Sequence, residues 1–351
     1  MIEPILFSLN DPAAMSQWDS FVKSNPEGTP YHLYGWLKTI NRTYGFEPLL
    51  YGAKDDTGSV IAVFPFFIVK NIFNAKRIVS LPFSDYGGPL LGHACKGEDF
   101  FSPVMSNVTG VFKQVEVRGN ASFDNTFIRH GCYTRHVLDL KRDIDAVQKS
   151  INKRTIQYSI RKAEKAGVTV IERRDKTGMD EFVRLNNLTR KKHGVPSQPR
   201  QWFDNLMENI IARGDGFILL ATMDSRAIGT SIFLTCGKSL HYKYNASDPS
   251  ILRTISPNHL ITWTGIKWGI EHGFSTLDFG RTSSDNAGLL RYKEMWGTTP
   301  IDLSYYYFPK VTGASSVNEK SLLYRIYTAG WRRLPDPIAE LASSLVFRYL
   351  A

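Results

Sequence analysis

The chain has 351 residues, of which 42% are hydrophobic and 22% are charged. This length suits two domains of roughly 150 residues each, and the balance of residue types excludes global disorder. The formal net charge of +10 favours a polyanionic partner, such as the phosphates of a nucleotide, an RNA or an anionic membrane face.

Several classes of protein are disfavoured by what the sequence lacks. The longest apolar run, IAVFPFFIV at 61–69, has nine residues, fewer than the roughly 20 that a membrane-spanning helix needs. The N-terminal segment has no secretory-signal pattern. Cys95, Cys132 and Cys236 are far apart, and the histidines lack metal-ligand spacing. We therefore expect a cytoplasmic chain with reduced thiols and no metal site.

The first half reads as helices followed by strands. DPAAMSQWDSFVKSN and TPYHLYGWLKTINRTYG have apolar residues at helical spacing, whereas EPLLYGAK, SVIAVFPFFIVK and AKRIVSLP are typical of strands. The loop SDYGGPLLG follows, and its two consecutive glycines favour an unusual backbone path. No clear element is predicted beyond it until TRHVLDLK, a strand that closes this half near residue 140.

The second half begins with a basic segment, DAVQKSINKRTIQYSIRKAEKAG, which we predict as one continuous helix. Between Lys149 and Lys165 it has six basic residues against one acid, Glu164. A solvated helix face explains this surplus as well as a polyanion site does. Two further helices, three strands, a helix capped at Ser256, the strand STLDFG, the helix ALLRYKEMWG and the strand DLSYYYFP follow.

Both halves therefore place helices before a strand meander, which predicts a repeated mixed α/β module. The tail contains two amphipathic segments, SLLYRIYTAGWRRLP and PIAELASSLVFRYL. Trp331, Arg332 and Arg333 would suit a membrane surface, but packing against the domain explains them too.

Five blocks of the sequence resemble the FemAB/FemX-like family, whose members are built from two tandem GNAT-type acyltransferase domains. The blocks are YHLYGWLKTI (31–40), LPFSDYGGPLL (81–91), KRTIQYSIRKAEKAGV (153–168), the segment from HYKYNAS to STLDFGR (241–281) and GLLRYKEMWGT (288–298). The chain looks closer to the branch associated with exopolysaccharide and exosortase loci than to the lipid II-modifying enzymes. No long helical arm of the kind some members insert is present.

The resemblance implies an α/β fold of the mixed α+β kind, with two tandem GNAT-type domains and mixed, mainly antiparallel sheets. The expected boundaries are 1–142 for the first domain, 143–311 for the second domain with the acyl-transfer motif, and 312–351 for a C-terminal helical extension. The implied activity is acyl or aminoacyl transfer to an amine of a cell-envelope or polysaccharide precursor. Such a protein would be cytoplasmic, with peripheral contact at the inner membrane face.

The resemblance also implies site residues. Lys293, which follows Tyr292 where the family has Phe, matches the lysine that stabilises the oxyanion. Lys38 matches a position that holds the phosphates of the acceptor, a phosphorylated glycan or peptidoglycan-type precursor. The other implied substrate contacts are Asp85, Arg154, Tyr158 and Tyr244, and Arg281 is a further candidate. The candidate catalytic residues are Lys293, Tyr292 and Asp278.

The motif LDFGR…RYKEMWG is compatible with more than one role for its charged residues. On a helix, Lys293 shares a face with Leu289 and Trp296, so its amine either snorkels over apolar surface or is desolvated for function. Asp278 on the preceding strand is placed to orient Arg281 or Lys293, to accept a proton from the amine, or to form a structural ion pair.

The donor is also left open. The turn DPSILRTI, before the Ser256-capped helix, lacks the glycine-rich pattern that cradles the CoA pyrophosphate, and Arg253 is its candidate phosphate contact. Aminoacyl-tRNA, an acyl carrier and acyl-CoA remain as donors, with no tightly bound cofactor expected. Covalent catalysis is not supported, because no GxSxG occurs and Cys236 has no evident His/Asn setting.

Two alternative functions remain at this stage. One is a CoA-dependent N-acetyltransferase with an atypical phosphate turn. The other is a non-catalytic module that binds RNA or anionic glycan through residues 149–165.

Overall fold

The computed structural model describes residues 3–71, 74–93, 95–119, 127–251, 254–309 and 322–350. Within these ranges the chain forms a thirteen-stranded sheet covered by helices. Every helix in the same ranges is too short or too polar to cross a membrane.

The strands are short to medium in length and fall into two groups along the chain. They are β1 (Ile5–Phe7), β2 (Glu47–Lys54), β3 (Val60–Lys70), β4 (Lys76–Val79), β5 (Leu90–Leu91), β6 (Val115–Arg118), β7 (Ile128–Asp139), β8 (Thr169–Arg173), β9 (Gly216–Met223), β10 (Arg226–Cys236), β11 (Ser239–Ser247), β12 (Thr276–Ser283) and β13 (Thr299–Phe308).

The helices alternate with these strands. They are α1 (Pro12–Ser24), α2 (Tyr34–Tyr44), α3 (Gly97–Val111), α4 (Ile144–Ser150), α5 (Tyr158–Lys165), α6 (Lys176–His193), α7 (Arg200–Asn209), α8 (Pro257–Glu271), α9 (Ala287–Glu294), α10 (Leu322–Arg333) and α11 (Asp336–Val346), with a π-helical turn at Lys153–Gln157 and 3-10 turns at Ile211–Arg213 and Phe347–Leu350.

The two halves share one sheet because their last strands are exchanged. The order is β1-β2-β3-β4-β6-β13-β7-β12-β11-β10-β9-β8, with β5 paired to β3. The strand β13, from the second half, therefore lies between β6 and β7 of the first half, while β7 pairs with β12 of the second. Among the described strands, only the β4–β6 and β11–β12 pairs are parallel, which confirms the predicted mixed, mainly antiparallel α/β class.

The core also joins the two halves. Helices α1 and α2 from the first half, and α6 and α7 from the second, contribute to one buried cluster. At its centre the fully buried rings of Trp36 and Trp202 lie 5.2 Å apart, edge to face. A second cluster lies between the other sheet face and α5, α8 and the end of α9. Apolar faces at helical spacing therefore decide on which side of the sheet each helix packs.

The basic segment is not the single helix that the sequence predicts. It is divided into α4, the π-helical turn and α5. The backbone N–H of Asn152 donates to the carbonyl of Met295 (2.8 Å), and the Asn152 side chain accepts from the N–H of Thr155 (2.9 Å). Asn152 thus ends one helix against the segment after α9 and caps the next, a competition that helical periodicity does not reveal.

The structure also shows the secondary structure of the stretch after SDYGG, for which the sequence predicted no clear element. It contains α3, which buries Phe100, Val104 and Val108, and the buried strand β6. The interior Pro103 of α3 obscures its helical signal, because proline removes a backbone donor.

The tail forms the two helices that its amphipathic segments predict, α10 and α11, and packs against α6. Trp331 is buried, so packing rather than exposure accounts for this side chain. Gly194, which ends α6 at a φ of 71°, lies so close that an added Cβ would be 2.3 Å from the carbonyl oxygen of Thr328 on α10.

We expect Gly194→Ala to displace α10 and make the tail susceptible to protease, because the new methyl group has no room beside Thr328. The left-handed backbone adds about 1–2 kcal/mol of strain. Limited proteolysis with mass spectrometry and urea unfolding measure the two effects separately. The matched control is Gly45→Ala, where φ is 66° but the space is open, so that only the strain remains. Equal protection of the tail in both variants would contradict the contact.

Candidate active site

A kink in β12 forms the centre of the site. The pairing of β12 with β7 shifts register between Asp278 and Arg281, and Gly280 between them has a φ of 71°. The carboxylate of Asp278 accepts the N–H of Gly280 at 2.6 Å, which holds the kink. Glycine is needed here for a second reason, because a Cβ would lie 2.9 Å from Oδ2 of Asp85. The kink thus allows residue 85 to contact residues 278–281, which are far from it in the sequence.

Lys293 on α9 is anchored to this kink. Its side-chain amine donates to the carbonyl of Gly280 at 2.7 Å and approaches that of Arg281 at 3.4 Å. The residue is only 6% exposed, so Lys293 is desolvated rather than snorkelling. Burial lowers the pKa of Lys293 to about 8, although the charges of Asp85 and Asp278 act in the opposite direction. Lys293 is therefore a mainly protonated, fixed cation at neutral pH.

Asp278 has partners that the sequence did not single out. Its Oδ2 accepts the hydroxyl of Tyr86 at 2.6 Å and lies 3.4 Å from the guanidinium of Arg135. Arg135 also donates to the Tyr86 hydroxyl at 2.9 Å. The antiparallel neighbour β7 supplies Arg135, so the ion pair of Asp278 is with this strand and not with Arg281.

Asp85 forms the second carboxylate centre. Its Oδ2 accepts the hydroxyl of Tyr31 at 2.7 Å and lies 3.5 Å from the amine of Lys243. The Lys243 amine is also 4.6 Å from the centre of the Tyr31 ring and 5.3 Å from that of Trp36, a cation–π setting. Burial favours the neutral form of Asp85, but the charges of Lys243 and Arg281 outweigh it and lower its pKa. Burial in turn lowers the pKa of Lys243.

Arg281 joins Asp85 to the exchanged strand. Its guanidinium donates to the hydroxyl of Tyr305 on β13 at 2.7 Å, and that hydroxyl donates to the backbone carbonyl of Asp85 at 2.7 Å. The guanidinium also lies 4.5 Å from the centre of the Tyr133 ring. Side chains from the loop after β4 and from β7, β12 and β13 thus form one network.

The cluster carries more positive than negative charge. Four cations, Arg135, Lys243, Arg281 and Lys293, interact with two carboxylates. A buried surplus of fixed cations favours the binding of an anion or the development of negative charge on a substrate. The arrangement is therefore suited to a reaction that generates an oxyanion.

A cavity of about 320 Å³ borders the cluster. Tyr86 and Arg135, which bind Asp278, form part of its wall together with Glu27, His32, Phe101 and residues 88–91. Burial lowers the pKa of His32 to about 4, so this histidine is neutral at pH 7. The cavity gives small molecules a path to the side chains that bind Asp278.

Other residues singled out in the sequence lie elsewhere. The Tyr292 ring packs 5.7 Å from His259 and 6.4 Å from Trp296. The Lys38 amine is 5.4 Å from the centre of the Tyr34 ring on α2. Arg154 and Tyr158 are both exposed on the basic segment, and Tyr158 has 58% of its surface exposed.

Of the two remaining candidates, Tyr244 and Arg253, only Tyr244 lies within the described residues. Tyr244 is buried and its hydroxyl accepts the indole N–H of Trp202 at 3.0 Å; its ring centre lies 5.6 Å from the Lys243 amine. Arg253 falls outside the described residues. The structure thus brings together Asp85, Asp278, Arg281 and Lys293, whereas Lys38, Arg154 and Tyr158 lie on other surfaces.

The residues that sequence reasoning missed are mostly aromatic or paired cations in the same blocks. Tyr31, Tyr86 and Lys243 occur in YHLYGW, SDYGG and HYKYN, which were noted for other positions. Arg135 and Tyr305 carry no local signal, because only strand pairing brings them to the site.

Comparison with known proteins agrees with the fold. Residues 151–294 match a family model described as an acetyltransferase (GNAT) domain. At the level of fold, the chain resembles the crystal structure of FemX, with a TM-score of 0.68 and 16% identity over 93% of this chain and 100% of that one. It also resembles a tandem GNAT protein from the clavulanic acid biosynthesis pathway (TM-score 0.56, 10% identity, 90% and 100% coverage). The fold is that of tandem GNAT-type proteins.

Relatives in sequence narrow the class. The chain is 23% identical to the UDP-N-acetylmuramoylpentapeptide-lysine N(6)-alanyltransferase of Weissella viridescens, over 81% of this chain and 88% of that protein. It is 21% identical to the lipid II:glycine glycyltransferase of Staphylococcus aureus, over 80% and 87%. Over most of its length the chain is thus similar to FemAB/FemX-family aminoacyltransferases. These relatives give no support to the non-catalytic module, and the exopolysaccharide branch stays a prediction.

We expect Asp85→Asn to destabilise the fold by about 3 kcal/mol at pH 7, because it leaves Lys243 buried without its counter-charge. The pKa of Asp85 is lowered in the folded protein, so its contribution is complete above the usual aspartate pKa of about 3.9 and is lost as the pH falls below it. Urea unfolding of both proteins between pH 7 and pH 3 measures the difference in stability, which should narrow only below about pH 4.

The control for this series is Asp56→Asn, in an exposed turn, which should unfold like the wild type. A difference between wild type and Asp85→Asn that is the same at every pH would show that the charge of Asp85 is not what stabilises the site.

Proposed function

We propose that this protein transfers an aminoacyl group onto an amine of a cell-envelope precursor, by direct attack in a complex with both substrates. The observation that carries the proposal is the buried ammonium of Lys293, fixed at the β12 kink and beside two carboxylates. The relatives named above are an alanyltransferase and a glycyltransferase, which supports an amino acid as the transferred group.

In the proposed reaction the amine nitrogen attacks the carbonyl carbon of the donor ester, and the electron pair of the C=O bond moves to the oxygen. The resulting tetrahedral oxyanion is stabilised by Lys293. An ammonium has three N–H donors. In Lys293, two of these N–H groups face the carbonyls of Gly280 and Arg281. The third is the one we assign to the oxyanion. Collapse then breaks the bond to the donor oxygen, which leaves with the proton that the amine loses.

Direct transfer is supported by the raised pKa values of two buried cysteine thiols. Burial raises the pKa of Cys236 to about 12, so a nucleophilic thiolate is strongly disfavoured at pH 7. Burial also raises the pKa of Cys95. The Cys132 side chain lies outside the described residues. An acyl-enzyme on Cys236 or Cys95 is therefore disfavoured.

For the acceptor we propose a phosphorylated glycan or peptidoglycan-type precursor whose amine enters through the cavity beside Tyr86 and Arg135. Its volume of about 320 Å³ suits one extended side chain rather than a whole precursor. Glu27 lies in this wall, and Asp278 is joined to the wall through its bonds to Tyr86 and Arg135. These carboxylates would attract the amine, which gives up its extra proton to water before it attacks in the neutral form. Lys38, Arg154, Tyr158, Tyr244 and Arg253 remain proposed contacts to the remainder of the substrates, and Tyr292 remains a proposed catalytic residue beside Lys293.

As donor we propose an aminoacyl-tRNA, for which the net charge of +10 is favourable. An exposed basic segment at 149–165 offers phosphate contacts. We also include in the proposal a location at the inner face of the membrane, where lipid-linked precursors are presented. A donor attached to an acyl carrier would use the same reaction at Lys293.

With donor and acceptor supplied, Lys293→Met should lower kcat by about 100-fold or more, because the oxyanion loses its cation. The fold should survive, since removing a buried charge relieves a desolvation cost. The matched control is Arg291→Met on the same helix, where the side chain is exposed and turnover should be close to normal.

The same variant gives a pH test. Since the pKa of Lys293 is lowered to about 8, wild-type kcat should fall as the pH rises through that value. The residual activity of Lys293→Met should lack this decline. Near-normal turnover of the variant at pH 7 would rule out the role assigned to Lys293.

The donor is tested by calorimetry and transfer assays on the intact protein. We expect no micromolar binding of acetyl-CoA, because the turn before α8 has no glycine-rich pattern, and we expect transfer of label from aminoacyl-tRNA to an amine acceptor. Micromolar binding of acetyl-CoA together with acetyl transfer would instead establish the CoA-dependent alternative.

A further inference from the structure

The last helix presents apolar side chains to solvent along one side. On α11, Ile338, Leu341 and Leu345 are 53%, 65% and 62% exposed, and Tyr349 in the following turn is 42% exposed. Positions spaced by three, four and four residues lie on one face of a helix. We call these four residues the outer face of α11.

This outer face is not a consequence of a loosely packed helix, because the opposite side of α11 is in contact with the protein. Ala339 and Ser343 line a cavity of about 250 Å³ against α6, and the ring of Phe347 lies 5.5 Å from that of Phe83. A surface helix ordinarily has an apolar inner side and a polar outer side. Single exposed apolar residues are common on proteins, but four along one face indicate a second partner.

Three exposed arginines lie close in sequence to the outer face, whereas the side chains of Asp336 and Glu340 on α11 lie outside those described. Arg332 and Arg333, at the end of α10, and Arg348, beside Tyr349, are all exposed. The whole chain carries a net charge of +10. An apolar helix face flanked by arginines is the pattern of helices that lie in the interface of a bilayer with anionic lipids.

We propose that the outer face of α11 docks this protein on an anionic lipid bilayer. The helix lies parallel to the membrane plane with Ile338, Leu341 and Leu345 inserted at the level of the upper acyl chains. Arg332, Arg333 and Arg348 contact the phosphates of the headgroups. This surface differs from the one suggested by the sequence, since Trp331 is buried.

Docking in this way would orient the site toward the membrane. Phe83, which contacts Phe347, is two residues from Asp85 in the loop that also carries Tyr86. The tail therefore connects the bilayer to the wall of the cavity beside Arg135. The inference does not depend on the proposed chemistry, because lipid binding is measured without donor or acceptor.

The test is co-sedimentation of the full chain with vesicles of phosphatidylcholine alone or with phosphatidylglycerol at 30–40%, about the proportion that gives a strongly anionic surface. Wild type should bind the anionic vesicles and not the neutral ones. The triple variant Ile338→Ser, Leu341→Ser, Leu345→Ser should lose about 100-fold in vesicle affinity, because the inserted side chains supply the apolar part of binding.

The matched control replaces three exposed apolar residues elsewhere, Leu6→Ser, Val111→Ser and Ile171→Ser, and should bind vesicles like the wild type. Thermal unfolding of both triple variants checks that the fold is retained. A double variant that leaves α11 unaltered, Arg332→Glu and Arg333→Glu, should lose about tenfold or more of its affinity for anionic vesicles, and added salt should weaken the wild type in the same way.

Wild-type binding by the α11 triple variant would overturn the proposal, as would equal binding of the wild type to neutral and anionic vesicles. A third outcome would also overturn it: a wild-type dimer in solution that becomes a monomer in the triple variant, with no vesicle binding by either. In that case the outer face is covered by a second copy of the chain. Failure of the Lys293 experiments would leave all of these results unaffected.

Discussion

The insertion of β13 between β6 and β7 is the constraint on which the rest of the site depends. It places the last strand of the second half inside the first half, and it leaves β7 to pair with β12. Tyr305 on the inserted strand then reaches both Arg281 and the backbone of Asp85. Because β-sheet register alternates faces with every residue, a shift of one position would turn Tyr305 away from this network.

The second organising feature is the concentration of buried charge. Isolated buried ions are strongly unfavourable, so the cluster exists only because each charge has a partner: Asp278 with Arg135 and Tyr86, and Asp85 with Lys243 and Tyr31. Lys293 has backbone carbonyls as its nearest partners instead. Like Arg281, which donates to the Tyr305 hydroxyl, Lys293 is thus a cation that no salt bridge among the described residues compensates. Such a group interacts most favourably with new negative charge that arises during a reaction.

The kink at Gly280 shows how a local conformation becomes a property of the site. A left-handed residue without a Cβ both turns the carbonyl of residue 280 toward Lys293 and leaves room for Asp85. Either requirement alone would favour glycine, and together they explain why the motif reads Asp-Phe-Gly-Arg. The helix after it begins with an Asn286 cap, which sets where on α9 Lys293 falls. Backbone geometry and not side-chain chemistry alone therefore places the cation.

By itself, the sequence determined the mixed α/β class, most of the helices and strands, and the strand–helix unit that carries Asp278 and Lys293, because apolar periodicity, caps and glycine positions are local signals. It also placed Lys293 on one face with Trp296, which is fully buried. The tertiary structure alone decided that Asp278 pairs with Arg135, that Lys243 faces Asp85, that the basic helix is interrupted at Asn152, and that the halves exchange their last strands. These contacts join residues more than 130 positions apart. No local pattern encodes them, because they follow from strand order and register, which are selected by the energy of the whole sheet and core.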